Sequence, residues 1–385
     1  MQRIIQVLAV VALITITLMA GSVQAAPPPK DAKYYNQVGL DFFKKGQYDQ
    51  AIANFNQAIK LNPKDALALH NRGYSYNNKR DYDKALADFT KAIEINPKFA
   101  QAYSNRGLAY MNKKDYDKAI ADLTKAVELN PKFDVAYNYR GSAYFLKKDY
   151  DKAIADFKKA TELNPKFVLA VNNLGYAYFL KNDLDKAITE FDKAVNLSPK
   201  FVPPLNNRGL AYYEKKDYDK AMADLNKAIE LDPKCFTCFN KRGLVYAGKK
   251  DYDKAIAEYS KAIQLNQGFN LAWNNRGLAY YDKKQYNRAI PDFTRAIQLD
   301  AKFANAYNNR GMAYLQTKAY AKAIADFNKA IQLNPNLALA YNNRAHANFN
   351  IKAFDKADED VRKAQSLKFT VEKELVDNVA TAKKK

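Results

Sequence analysis

Residues 66–99 read ALALHNRGYSYNNKRDYDKALADFTKAIEINPKF, and residues 100–133 read AQAYSNRGLAYMNKKDYDKAIADLTKAVELNPKF. They align without a gap. Gly73, Tyr76, Ala85, Phe89, Ala92 and Pro97 return as Gly107, Tyr110, Ala119, Leu123, Ala126 and Pro131. Within one period, Leu69, Gly73 and Tyr76 recur at helical spacing and predict a first helix from Ala66. Lys79-Arg80 forms a turn. Asp81 is placed to cap a second helix, and Asp83 sits in its positive first turn. That helix buries Ala85, Phe89, Ala92 and Ile93 and stops at Asn96-Pro97, because proline disfavours helix in the residue before it. A helix pair of this size cannot bury its apolar face alone, so a sustained repeat implies stacked units sharing a continuous core.

The same register divides the chain into ten units: 32–65, 66–99, 100–133, 134–167, 168–201, 202–235, 236–269, 270–303, 304–337 and 338–371. Nine carry the glycine, and all ten carry both alanines, from Ala51 and Ala58 to Ala357 and Ala364. These residues resemble the tetratricopeptide repeat family over about residues 32–371. The resemblance implies an all-α, right-handed superhelical solenoid whose first helices line the concave face. Most of the 28 tyrosines fall at a few register positions, such as Tyr103, Tyr110 and Tyr116, and read as core. The last unit replaces glycine with Ala345 and tyrosine with Asn348, as expected of a terminal unit. Val371, Leu375 and Val379 then share one face of a further helix, so 372–385 reads as a capping helix and basic tail. Units seven and eight lose the closing proline (Gln267, Ala301). Pro291 falls inside the second helix of unit eight and predicts a local bend there.

Residues 1–25 have the form of a secretory signal peptide: Arg3, then uncharged apolar residues from Ile4 to Ala20, then Val23-Gln24-Ala25. Cleavage after Ala25 would leave 26–31 as a short Pro-rich leader on an exported, periplasmic or secreted bacterial-type protein. A retained anchor is the alternative, since 17 apolar residues come close to spanning a bilayer. That segment is the only route to a membrane.

Catalytic chemistry finds little to work with. The two histidines, His70 and His346, lie at opposite ends of the repeats, which disfavours His-dependent acid–base or metal sites. The glycines are spread one per unit, so no phosphate loop is formed. The chain reads as a non-enzyme with no catalytic residues, no metal and no cofactor. Cys235 and Cys238 are the one chemical motif. In an oxidising compartment they are expected to form a local disulfide, the alternative being small-residue packing at a usual alanine position. Arg72, Arg106, Arg140, Arg208, Arg242, Arg276, Arg310 and Arg344 recur beside the glycine, each with an acid sixteen residues on, such as Asp88 or Glu258. This co-occurrence favours an Arg–carboxylate bridge within each unit over a nucleic-acid ladder. Lysines in the turns (Lys113-Lys114, Lys147-Lys148, Lys249-Lys250) form a basic ridge in a chain of net charge +21. No base-stacking aromatics interleave with it, so nucleic acid is disfavoured as a partner.

The binding residues suggested by the register lie on the first helices. Asn71, Asn105, Asn173, Asn207, Asn275, Asn309 and Asn343 stand two residues before the glycine position. They resemble the asparagine ladder with which peptide-binding members of the family hold an extended backbone. A primary amide both donates and accepts, so it fits a peptide group whatever the side chain. Tyr139 and Lys241 interrupt the series. Phe145, Phe179, Tyr213 and Tyr281, farther along the same helices, would add apolar contacts. The reading is a scaffold that binds protein or peptide segments along this groove, in envelope assembly or secretion. The alternative is an adaptor for an anionic envelope polysaccharide or other polymer, held by groove and ridge.

Overall fold

Each period folds into a helix hairpin whose two turns are fixed by identifiable hydrogen bonds. In unit two the first helix, Ala66–Asn78, ends when Arg80 adopts φ 63°. The Arg80 amide then donates to Asn77 O at 3.0 Å and the Asp81 amide to Tyr76 O at 2.9 Å. This Schellman pattern satisfies the last helical carbonyls. Asp81 also starts the second helix, Tyr82–Ile95, its carboxylate accepting the Lys84 amide. The left-handed position is Gly46 in unit one, Arg80 in unit two and Asn182 in unit five, but Lys114, Lys148, Lys216, Lys250, Lys284, Lys318 and Lys352 occupy it elsewhere.

The turn between units depends on its asparagine more than on its proline. The Asn96 side chain accepts the Lys98 amide at 3.1 Å, and its carbonyl accepts Phe99 N at 3.0 Å. Where proline is lost, Asn266 holds Gly268 N and Phe269 N in the same way, and Asp300 holds Lys302 N and Phe303 N. The helix Tyr286–Leu299 continues through Pro291.

This computed structural model describes residues 30–383, and all regular secondary structure among them is α-helical. The expected signal peptide at 1–25, and the leader as far as Pro29, lie outside the described residues. By its internal contacts the chain divides into an N-terminal body, Met1–Leu163, and a C-terminal body, Asn164–Lys385. Each is a stack of helix pairs in which a unit packs on the next. A final helix, Lys373–Ala382, covers the end of the C-terminal body. Val371, Leu375 and Val379 are buried there against Tyr341, Ala345 and Val361. Among the described residues no helix is long and apolar enough to cross a membrane.

Packing explains the repeated glycine and alanines. Ala85, Phe89 and Ala92, and their equivalents Ala289, Phe293 and Ala296, are fully buried. A Cβ on Gly277 would lie 2.7 Å from Phe293 Cε1, so only glycine allows the aromatic ring at that distance. In unit ten, where alanine replaces glycine at position 345, the opposing residue is the smaller Val361.

The recurring arginines tie three helices together. Arg310 donates through Nε and Nη2 to the two oxygens of Asp326, both at 2.8 Å, and through Nη1 to Thr294 of the preceding unit at 3.1 Å. Seven other units repeat the carboxylate fork, from Arg72–Asp88 to Arg344–Asp360. The third bond, from each unit to the one before, was not anticipated from the sequence. Turn lysines divide into two kinds. Lys113, Lys147, Lys215, Lys249 and Lys283 each pair with an aspartate one unit back, as in Lys249–Asp219 at 2.7 Å. The following residue, at the left-handed position, is exposed.

Candidate functional site

The asparagines at the ladder register are joined to the neighbouring unit. Asn71 Nδ2 donates to Asn36 Oδ1 at 3.0 Å, and Asn207 Nδ2 to Asn172 Oδ1 at 3.1 Å. Asn275 reaches Asn240 at 3.0 Å, Asn309 reaches Asn274 at 2.9 Å, and Asn343 reaches Asn308 at 3.0 Å. Weaker bonds within a helix, Asn274 Nδ2 to Asn275 Oδ1 and Asn308 Nδ2 to Asn309 Oδ1, both 3.4 Å, link these steps into one run from Asn343 to Asn240. Asn173 is part-exposed at the same register and is also engaged. The residue three before the glycine, which receives each donor, carried no weight in the sequence reading. Its signal was present as Asn36, Asn138, Asn172, Asn206, Asn240, Asn274, Asn308 and Asn342.

Every interruption of the ladder leaves an acceptor without its donor. Among the described residues, the buried side-chain atoms with no hydrogen-bond partner are Ser104 Oγ, Asn206 Oδ1 and Asn342 Oδ1. Ser104 faces the step where Tyr139 replaces asparagine, Asn206 the step where Lys241 does, and Asn342 lies in the last unit. Lys241 instead sends its ammonium to the Asn206 backbone carbonyl at 3.1 Å and to Asn207 Oδ1 at 3.3 Å. Among the described residues no carboxylate meets it, and burial lowers its pKa to about 8.

In the N-terminal body, a histidine joins the chain. Asn105 Nδ2 donates to His70 Nε2 at 2.8 Å, and His70 Nδ1 lies 3.3 Å from Asn71 Oδ1. That pattern requires the neutral ring with its proton on Nδ1. Burial lowers the imidazole pKa and favours the same state. His70, missed as a functional residue, packs on Phe99 with ring centres 4.9 Å apart.

The aromatic candidates are half-buried and lean on the first tyrosine of the second helix in their own unit. Phe145 meets Tyr150 at 5.5 Å, Tyr213 meets Tyr218 at 5.9 Å, and Tyr281 meets Tyr286 at 5.2 Å. Phe179 stacks instead on Tyr176 at 6.0 Å. Burial raises the Tyr213 and Tyr281 phenol pKa values. Cys235 and Cys238 form a disulfide at the start of the first helix of unit seven, with Cα atoms 5.3 Å apart. Among the described residues no three or more His, Cys, Asp or Glu side chains cluster to hold a metal ion.

The tetratricopeptide repeat model matches residues 66–99, 100–133, 135–167, 203–235, 271–303 and 304–337, more than half of the chain. Related repeat models match 39–79, 157–189, 175–216 and 244–284. No curated protein sequence matches the chain. A chain of the Cut9–Hcn1 heterotetramer of the APC/C is similar in structure, with TM-score 0.58, 16% identity, and 92% of this chain and 90% of that one covered. Yeast Tom70 gives 0.50, with 19% identity and 91% and 95% covered. A tetratricopeptide repeat protein of Parabacteroides merdae gives 0.52, with 22% identity and 64% and 98% covered. With its helix hairpins and their recurring glycine and alanines, this chain belongs to the tetratricopeptide repeat family.

Proposed function

We propose that the chain is a non-catalytic scaffold that binds extended polypeptide segments along the asparagine-lined face of its first helices. The observation carrying this reading is the fixed orientation of the ladder amides. A primary amide offers two N–H groups and two carbonyl lone pairs. At Asn275 and Asn309 the bond to the neighbouring unit uses one N–H and the weak bond within the helix one lone pair, so one N–H and one lone pair remain on part-exposed side chains. Amides already held in place lose little freedom on binding, which lowers the ordering cost of association. The signal-like segment at 1–25 and a disulfide in the mature region support export to an oxidising compartment, with a role in envelope assembly or secretion.

The test is capture of envelope polypeptides by the full chain and by the Asn207→Ala/Asn275→Ala/Asn309→Ala variant, with helix content checked by circular dichroism. Capture should fall by about tenfold or more in the variant and persist in high salt. Equal capture by a folded variant overturns the reading. One observation favours a second reading, an adaptor for an anionic envelope polymer. The exposed left-handed cations Lys114, Lys148, Lys216, Lys250, Lys284 and Lys318 recur along a chain of net charge +21. Polymer retained equally by both proteins and released by salt would move the function to that ridge.

A further inference from the structure

The first helices of units one to four surround a single hollow of about 370 Å³ in the N-terminal body. Its walls are Leu40, Phe43, Tyr74, Phe133, Val135 and Tyr139, with His70, Asn71 and Asn105 set among them. The size is at the lower end of pockets that enclose small ligands.

Three features define what it would accept. First, the lining has no Lys, Arg, Asp or Glu, although such residues make up 27% of the chain. Burial also keeps His70 neutral, so a charged group entering here would lose its hydration and meet no counter-charge. Second, the ladder is interrupted here. Tyr139 at the rung of unit four gives Ser104 no donor, so the amide run is replaced by an aromatic wall. Third, the last rung before the gap is Asn105. Its Nδ2 is engaged by His70, and its Oδ1 makes no hydrogen bond among the described residues. On a part-exposed side chain, that oxygen keeps its capacity to accept a backbone N–H.

We propose that this hollow is a side-chain pocket for one bulky, uncharged apolar residue of an extended polypeptide, aromatic or long aliphatic, with Asn105 Oδ1 accepting an adjacent peptide N–H. The proposal rests on the groove reading for its biological setting, and its test does not. The full chain is titrated with N-acetyl-phenylalanine N-methylamide and with the glycine and aspartate analogues, following the His70 ring resonances by NMR. The phenylalanine compound should shift them in a saturable manner, with the other two weaker by about tenfold or more. Val135→Trp, which fills the hollow, and Leu40→Arg, which charges it, should each remove that response while leaving the circular dichroism spectrum unchanged. Equal responses to the three compounds, no response to any, or an undiminished response in both variants overturns the pocket. If the triple-asparagine variant captures polypeptide normally while phenylalanine still shifts His70, the groove reading fails and the pocket stands.

Discussion

Replacing Lys241 with asparagine should repair the ladder, and the effect should change sign with pH. The native ammonium is withdrawn from water without a carboxylate, and its pKa falls from 10.5 to about 8. At about 1.4 kcal/mol per tenfold change in proton affinity, this is a penalty on the charged form of about 3 kcal/mol. An asparagine at 241 carries no charge and offers an N–H to the orphaned Asn206 Oδ1, worth about 1 kcal/mol. Against this, three fewer methylenes are buried, at about 0.8 kcal/mol each. Near neutral pH the variant should therefore be more stable by about 1–2 kcal/mol. The unfolded chain binds this proton more tightly than the folded one, so the native protein gains stability as pH rises from about 8 to 10.5. The variant lacks that gain, so above this window it should become the less stable of the two. Urea denaturation followed by circular dichroism, at neutral and alkaline pH with unchanged m-values, measures the difference. A variant no more stable at neutral pH, with a stability profile parallel to the native one, would refute the reasoning.

Gly277→Ala should cost about 1–3 kcal/mol through overlap with Phe293, despite the better helix former. Phe293→Val in the same chain should recover part of that loss, as Val361 accompanies Ala345, and additive costs in a thermal double-mutant cycle would contradict the packing argument. Arg310→Lys keeps the charge but loses the fork on buried Asp326 and the bond to Thr294, so a loss of about 1–3 kcal/mol is expected in denaturant melts. Lys148→Gly relieves a lysine held at φ 64° and should raise the unfolding free energy measured in urea by no more than about 1 kcal/mol, because glycine also gains freedom when unfolded. Because burial holds His70 below its ordinary pKa of 6.5, the chain should lose stability as pH falls below that value. In His70→Asn, which takes the residue found at this register in most units, melting temperatures near pH 5 and 7 should show a shallower loss.

The helix hairpins were legible in the sequence because their determinants are local and repeated ten times. Helical periodicity, the aspartate at the start of most second helices, and the Asn-Pro stop act within a few residues, and the repeat averages away their exceptions. The Arg–acid pairing was also legible within a unit, since Arg72 and Asp88 covary with the repeat. Its third bond, to the preceding unit, was not, because Asn56, Thr90, Asp192 and Ser260 share no residue type that would mark the position.

What the sequence determined by itself is the family, the helix pairs and the face that carries the asparagines, all consequences of local periodicity and register. What only the tertiary structure decided is how those asparagines are held. Their partners sit 35 residues away, and whether an amide points to solvent or to its neighbour depends on how two helices pack. The same holds for the hollow beside His70, which four units must enclose together, and for Lys241, whose lowered pKa comes from burial that no local pattern encodes.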